Sequence, residues 1–414
     1  MKIEQTIHCL AAVILGLAVS SARPAGIVAA SLLLPALTFR LPSRRGCYSA
    51  ATGYYTGALW PVAVGAKNFF GPDVSVIGAM AFWAVCALLL ALPYGLLWTD
   101  KTRQLLWRAP VALLVAVFPP LGLIGFASPL TAAGFLFPAL SWGGFALSLA
   151  GCGLIGAHPK VGILSITAVA LVANIFYPGD RQPPSDWKAV DTHFGAISHG
   201  PVSPLGEYLA TQSIQAQAAA SSARVVVFPE SVVPRWTIST DLFWKPTTDT
   251  LRLNGKIAVI GALIPESLPL SDDDIRAAIE LLRTRRQVWR MPSPAAAYFY
   301  RNAAIIRGVQ SGIFFQRVPV PFSMWKLFLR GGAPLHLDGP AVLELGGQRA
   351  AILICYEQVI PWTVLTAAMA HPTLFVGMSN DHWAIGTPIP RWQALCLRAW
   401  SRLFRVPSLL AMNT

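Results

Sequence analysis

Long stretches with almost no charged residue fill the first 178 positions of the chain and limit the folds that it can adopt. An α-helix needs roughly 20 apolar residues to cross a bilayer. We find about seven stretches near that length, at 6–22, 24–39, 50–66, 76–98, 110–127, 137–157 and 160–178. The whole chain is 54% hydrophobic and only 12% charged, which is more apolar than ordinary soluble proteins. Residues 1–178 are therefore predicted to form an α-helical transmembrane bundle.

Basic residues beside these stretches indicate the orientation of the bundle. One side holds Lys2, Arg40, Arg44, Arg45, Lys101, Arg103, Arg108 and Lys160, and the other holds only Arg23 and Lys67. Cytoplasmic loops of membrane proteins are enriched in Lys and Arg, so the N-terminus is predicted in the cytoplasm and the residues after Tyr177 outside it. The formal charge of +13 fits contact with anionic lipid, and we expect no direct nucleic acid binding.

Two segments of this part can be interpreted in two ways. Lys2, a short apolar core and SSA before Arg23 also fit a cleaved signal peptide, although the next apolar stretch follows at once and favours a span. The segment Phe118–Gly144 is dense in Pro, Gly and aromatic residues. It predicts either a broken helix that is buried in protein or lines a cavity, or a hairpin outside the membrane.

The composition changes after residue 178, and 179–414 is predicted to be a separate α/β domain. Apolar runs typical of buried strands alternate with helical patterns, which indicates a largely buried sheet. The predicted strands are Ala223–Phe228, Ile257–Ile264, Ala303–Ile306 and Gly312–Val318 as a hairpin, Ala341–Leu345, Ala350–Cys355 and Thr373–Met378; the helices are Leu205–Ala220, Trp362–Ala370 and Pro390–Phe404. A further helix is predicted over Ser271–Arg290, either solvated and packed on the domain or lying on lipid headgroups.

Two reactive side chains are predicted at the ends of strands. In RAAILICYEQVIPW, Arg349–Trp362, an apolar run leads directly into Cys355, which fits either a nucleophile or a small residue that fills a core. In VVVFPES, a β-branched run leads to Glu230, which fits either a general base or a surface carboxylate. None of the six cysteines forms a CxxC pair, so neither a disulfide framework nor a metal site is predicted, and no cofactor is expected.

Several motifs together resemble the nitrilase superfamily of carbon–nitrogen hydrolases. They are FPE at 228–230, YRNAA at 300–304, RVPVPF at 317–322, CYE at 355–357 and SNDHW at 379–383. With the apolar first part, the chain resembles the apolipoprotein N-acyltransferase branch, and most of all the shorter conjugal-transfer TraB-type proteins of bacterial plasmids. The resemblance implies a multi-pass protein of the bacterial inner membrane with a periplasmic, C-terminally shortened α-β-β-α sandwich.

The same resemblance implies roles for individual residues. Cys355 matches the nucleophile, Glu230 the general base and Glu357 a second glutamate beside the cysteine. The backbone N–H of Tyr356 matches an oxyanion-hole donor, and Asn380 of SNDHW a supporting residue.

Departures from the family pattern surround residue 316. The position of the family's lysine holds Gln316, Arg317 is next to it, and Met324 replaces a glutamate. Neighbouring residues on a strand point to opposite faces, so Gln316 rather than Arg317 is expected in the catalytic site.

These residues predict a membrane-bound acyltransferase or amidase that acts through a thioester on Cys355. Membrane lipid, a lipoprotein or a component of a conjugation apparatus are the expected partners. The alternative is an accessory or scaffold protein that keeps the fold and has lost most of the chemistry, as the missing lysine suggests.

Overall fold

The computed structural model describes residues 2–21, 25–70, 75–195, 204–266, 299–325 and 331–414. The predicted helix Ser271–Arg290 lies outside the described residues. Within them, helices occupy the first part of the chain, and two β-sheets flanked by helices occupy the second.

The first part contains nine α-helices among the described residues. They are α1 (Lys2–Ser20), α2 (Ala25–Ala30), α3 (Leu34–Thr38), α4 (Arg44–Phe70), α5 (Val76–Leu96), α6 (Thr102–Val117), α7 (Ala133–Leu136), α8 (Ser141–Ala157) and α9 (Pro159–Ile175). The predicted helical character of this region is confirmed. However, only two helices of the described part, Ile3–Ser20 and Val76–Leu96, are long and apolar enough to cross a membrane, rather than about seven.

The remaining predicted spans fail this test for different reasons. A 3-10 turn at Ser31–Leu33 separates the short helices α2 and α3. Helices α6, α8 and α9 have 16 or 17 residues, fewer than the roughly 20 needed for a perpendicular crossing. Helix α4 has 27 residues but is rich in Gly, Tyr and Thr because it lies inside the bundle. A Cβ atom on Gly57 would come within 2.3 Å of the Val13 carbonyl oxygen, so small residues let α1 and α4 approach closely.

The Pro- and Gly-rich segment that follows α6 is broken helix buried in protein. It contains two short 3-10 turns, Leu121–Ile124 and Pro129–Ala132. The hydroxyl of buried Tyr54 on α4 donates a hydrogen bond to the Ala127 carbonyl oxygen at 3.1 Å. Of the two interpretations of this segment, the structure agrees with the buried one.

The second part contains two sheets. The first has the order β1 (Trp187–Ala189), β2 (Val225–Val227), β3 (Ile257–Glu266), β4 (Phe299–Gly308) and β5 (Gly312–Phe315); the second has β6 (Leu343–Leu345), β7 (Gln348–Ile354), β8 (Leu374–Asn380) and β9 (Ser408–Asn413). Strands β1, β2 and β3 run parallel, as do β7, β8 and β9, whereas the pairs β3–β4, β4–β5 and β6–β7 are antiparallel. The predicted hairpin is therefore the pair β4–β5.

Four layers result from the way in which these sheets bury their apolar faces. Val225 and Val227 of the first sheet pack against Ile352 and Ile354 of the second. The outer face of the first sheet packs on α10 (Pro204–Ala220) and α11 (Ile238–Leu253). The outer face of the second packs on α12 (Pro361–Met369) and α13 (Ile389–Phe404). The described residues thus form an α-β-β-α sandwich.

Helix α13 joins the sandwich to the helical part. A Cβ atom on Gly134 of α7 would come within 1.8 Å of the Ala399 carbonyl oxygen, so the two backbones are in direct contact. Asp180 accepts hydrogen bonds from Arg398 Nε at 2.7 Å and from Arg402 Nη1 at 2.9 Å. These contacts fix α13, and with it one wall of the site described next.

Candidate active site

Cys355 lies directly after β7, at the edge of the second sheet where three parallel strands end. The side chain is 4% exposed, and the residue adopts a φ of 49°, in the left-handed region. Such a conformation costs about 1–3 kcal/mol for a residue other than glycine, and it persists only where the surrounding structure enforces it. Strained backbone of this kind is concentrated at functional sites.

Glu230 reaches the same place from the first sheet, three residues after β2. The carboxylate and the Cys355 thiol lie close enough for each to shift the pKa of the other. The carboxylate accepts from Asn302 Nδ2 at 2.5 Å and from the Asn380 backbone N–H at 3.1 Å. Burial raises the pKa of Glu230 to about 7, although these hydrogen bonds act in the opposite direction. The carboxyl group is therefore set to exchange a proton near neutral pH.

Gln316 directly follows β5, which ends at Phe315 and not at Val318 as predicted, and it lies on the Glu230 side of the site. Its Oε1 accepts from Asn302 Nδ2 at 3.0 Å, and its Nε2 donates to the Ile354 carbonyl oxygen at 2.9 Å. A pocket of about 90 Å³ adjoins these side chains and is lined by Asn302, Gln316, Phe315 and His336, among others. The position thus places a neutral amide next to Asn302 and the Cys355-bearing strand.

Arg317 points to the other face and neutralises Glu357. Its Nε lies 3.6 Å from Glu357 Oε1, and both side chains are fully or almost fully buried. Glu357 also accepts from the backbone N–H groups of Arg317 at 2.8 Å, Val318 at 3.2 Å and Ile354 at 2.9 Å. Burial raises the pKa of Glu357, and the arginine opposes this shift. Glu357 therefore ties three backbone segments together beside Cys355.

Two further predicted site residues make structural contacts here. The Tyr356 hydroxyl donates to the Leu123 carbonyl oxygen in the broken helix at 2.9 Å. Asn380 donates from Nδ2 to the Ser231 hydroxyl at 3.2 Å, and its Oδ1 accepts from Asn413 at 2.8 Å. The role of the Tyr356 N–H in an oxyanion hole stays a prediction.

Three residues of the site received no role from the sequence. Asn302 bridges Glu230 and Gln316, while Asp381 and Gln393 lie on the far side of Cys355. Asn302 lies within β4 in the motif YRNAA, and Asp381 directly follows β8 in the motif SNDHW, so a polar residue in each motif was an available signal. Gln393 lies on α13 in a run that looks like an ordinary amphipathic helix.

The electrostatics of the site favour a protonated thiol at rest. Burial raises the pKa of the Cys355 thiol well above its ordinary value, and the charges of Glu230 and Asp381 raise it further. Attack by this sulfur would require a base to take the proton, and Glu230 lies near enough to shift the pKa of the thiol. Among the described residues, no group of three or more His, Cys, Asp or Glu side chains is placed to hold a metal ion.

Comparison with known proteins gives relatives over nearly the full chain. The conjugal transfer protein TraB of Agrobacterium fabrum is 29% identical over 412 residues, which cover 93% of this chain and 87% of that protein. The probable conjugal transfer protein TraB of Sinorhizobium fredii is 28% identical over 393 residues, which cover 93% and 92%. No protein-family model matches the sequence.

Solved structures with local similarity include an amidase of the nitrilase superfamily from Nesterenkonia AN1. One structure of this amidase is 14% identical, covers 55% of this chain and 74% of the amidase chain, and has a TM-score of 0.34. The similarity to proteins named TraB extends over nearly the whole chain, and the predicted resemblance to TraB-type conjugal-transfer proteins is thereby confirmed.

Proposed function

We propose that the protein is a membrane-bound enzyme of the nitrilase type that forms a thioester on Cys355 with Glu230 as general base. One observation supports this most directly: a buried thiol on a strained backbone lies close to a buried carboxylate whose pKa is about 7. Such a carboxylate is half ionised near neutral pH and can both accept and return a proton.

The proposed reaction has two steps that use the same carboxylate. As Cys355 Sγ attacks the carbonyl carbon of an ester or amide, Glu230 takes the thiol proton. Glu230 then gives this proton to the departing alcohol or amine, the carbon–oxygen or carbon–nitrogen bond breaks, and the acyl group remains on sulfur as a thioester. In the second step an amine or water attacks the thioester, Glu230 accepts its proton, and the proton passes to the departing sulfur.

The surface of the helical part supports a membrane location. Large apolar side chains face outward along α1, α5 and α9, including Ile3, Ile7, Ile14, Val76, Ile77, Leu96, Leu164, Leu171, Ile175 and Phe176. A soluble protein rarely exposes so extensive an apolar surface, whereas a lipid bilayer covers it. We infer that the helical part lies in the inner membrane as a multi-pass bundle and that the sandwich is periplasmic.

Reporter fusions test this orientation. A reporter joined after Gly255, in the open turn between α11 and β3, should be active if it needs the periplasm and silent if it needs the cytoplasm. The reverse pattern would contradict the proposed orientation.

The names of the two relatives support a role in conjugal transfer. Membrane lipid is then the nearest source of an acyl group, and a lipoprotein or another component of the conjugation apparatus is the proposed acceptor. Deletion of the gene, complemented with wild type or Cys355→Ala, should separate these possibilities: transfer restored only by wild type supports an enzymatic role.

A second function is favoured by the neutral amide of Gln316. An accessory protein would keep the sandwich and its contact with the helical part without needing a charged group beside the thiol. Restoration of transfer by Cys355→Ala would favour it.

A biochemical test uses the full chain in phospholipid nanodiscs with an activated ester. Mass spectrometry should detect the acyl group on the Cys355 peptide of the wild type. Glu230→Gln should lower the rate by about 10²–10⁴, the usual contribution of a general base. Cys396→Ala is the matched control because Cys396 is equally buried on α13, and it should leave acylation unchanged. Acylation spread equally over several cysteines would contradict the proposal.

A further inference from the structure

The amide of Gln393 lies between the Cys355 sulfur and the carboxyl group of Asp381. Gln393 is 2% exposed and Asp381 fully buried. With its nitrogen toward the sulfur, Gln393 Nε2 lies 3.7 Å from Cys355 Sγ. With its nitrogen toward the carboxylate, it donates to both Asp381 oxygens at 2.7 Å. The two arrangements differ by a half-turn of the amide, which hardly changes its shape.

Each arrangement suits one protonation state of Asp381. An ionised carboxylate only accepts hydrogen bonds, so it attracts the Gln393 nitrogen and leaves the amide oxygen toward Cys355. A protonated carboxyl group can donate to the amide oxygen, which leaves the amide nitrogen toward Cys355. A nitrogen donor stabilises a thiolate, whereas an oxygen acceptor destabilises it.

We propose that Gln393 is a positioning residue for the Cys355 sulfur, and that the proton on Asp381 decides whether its amide presents a donor or an acceptor to that sulfur. The role rests on the proposed function only in that Cys355 is the nucleophile. It supplies a hydrogen-bond donor in a site where the amide of Gln316 is already bonded to Ile354 and Asn302.

The surroundings favour the protonated state of Asp381. Burial raises its pKa well above the ordinary value, and the charge of Glu230 adds to the effect. The titratable groups that face it are Glu230 after β2 and Cys355 after β7, with His382 next to it in the chain. Several negative charges in one buried space are costly, so the site keeps protons on some of these groups.

Helix α13 holds Gln393 in place. The backbone contact between Gly134 and Ala399 and the two arginine bonds to Asp180 tie this helix to the helical part. The backbone of Gln393 is thereby fixed, and its buried side chain is held between Cys355 and Asp381. A residue on the helix that joins the two parts of the protein thus contacts the nucleophile directly.

The test measures the alkylation rate of Cys355 by iodoacetamide as a function of pH, with the full chain in nanodiscs and the Cys355 peptide quantified by mass spectrometry. Gln393→Met has a similar volume but no donor. We expect it to slow alkylation about tenfold and to move the pH midpoint upward by about one unit, because a hydrogen bond to a charged sulfur is lost. Asp381→Asn should speed alkylation at high pH, where the wild-type carboxylate would turn the amide.

Two controls separate positioning from folding. Gln358→Met removes a buried amide that contacts Leu353, Met378 and Ser379 but not the sulfur, and it should lower thermal stability without moving the pH profile. On the Gln393→Met background, Asp381→Asn should still act on the thiol through the removed charge, but the part of its effect that passes through the amide should be lost, so the rate should rise by a smaller factor than in the wild type.

An unchanged pH profile in folded Gln393→Met, or an equal effect of Asp381→Asn on both backgrounds, would overturn the proposal. Failure of the wild type to form a thioester, with these alkylation effects intact, would instead contradict the proposed enzymatic function.

Discussion

Introducing a positive charge at position 316 should allow acylation of Cys355 at lower pH. The Gln316 and Glu230 oxygens accept from one shared nitrogen of Asn302, at 3.0 Å and 2.5 Å, so they lie within roughly 6 Å of each other. At an effective dielectric constant of about 20, a unit charge at that distance contributes about 3 kcal/mol, or about two pKa units. Gln316→Lys should therefore lower the pKa of Glu230 from about 7 to about 5.

Only the ionised carboxylate can accept the thiol proton, so wild-type acylation should rise as the pH rises through about 7. In Gln316→Lys this rise should occur near pH 5, and acylation by an activated ester at pH 6 should be about tenfold faster. Acylation rates from pH 4.5 to 9, measured by mass spectrometry on nanodisc samples, give both profiles.

Gln316→Met is the matched control, because it removes the amide without adding a charge. It should not shift the profile toward lower pH. If the rise stays near pH 7 in Gln316→Lys, the lysine does not act on Glu230 and the electrostatic reasoning is wrong. A downward shift with Gln316→Met as well would show that loss of the amide, and not the charge, is responsible.

Two substitutions test the packing around the site. Arg317→Met removes the cation beside buried Glu357 and should lower the free energy of unfolding by about 3–5 kcal/mol. Denaturant unfolding in detergent measures this, and a loss below about 1 kcal/mol would argue against the buried pair. Gly134→Ala would place a Cβ atom 1.8 Å from the Ala399 oxygen, so it should lower the free energy of unfolding by about 1–3 kcal/mol and slow acylation. Gly143→Ala is the control, because a Cβ atom there meets open space and should change neither quantity. Equal thermal stability of the two alanine variants would contradict the backbone contact.

Local patterns in the sequence were sufficient for most elements of the sandwich. The β-branched run of β2 and the apolar run of β7 are short and continuous, so both strands and the side chains that follow them, Glu230 and Cys355, were predictable. Because neighbouring side chains of an extended chain point to opposite sides, Gln316 and Arg317 were predicted to face different surroundings. These features depend only on neighbours in the chain.

Other elements depend on distant partners and were not predicted. Strand β9, Ser408–Asn413, is stabilised by backbone hydrogen bonds to β8, and β1 is stabilised by backbone hydrogen bonds to β2. Helix α11 is weakly apolar and contains Pro246, but a capping box at Thr237 and packing on the first sheet stabilise it. The number of spans was wrong because a span needs a helix that is both long and apolar: α6, α8 and α9 end after 16 or 17 residues, and α4 is long but rich in Gly, Tyr and Thr.

The sequence alone determined that a thiol and a carboxylate follow two buried strands. Only the tertiary structure decided their environment. It brings Asp381 and Gln393 to the sulfur through β8 and α13, buries three carboxyl groups around it, and pairs one of them with Arg317. The pKa values that govern the proposed reaction follow from burial and from charges brought together by packing, and neither can be read from the order of residues in the chain.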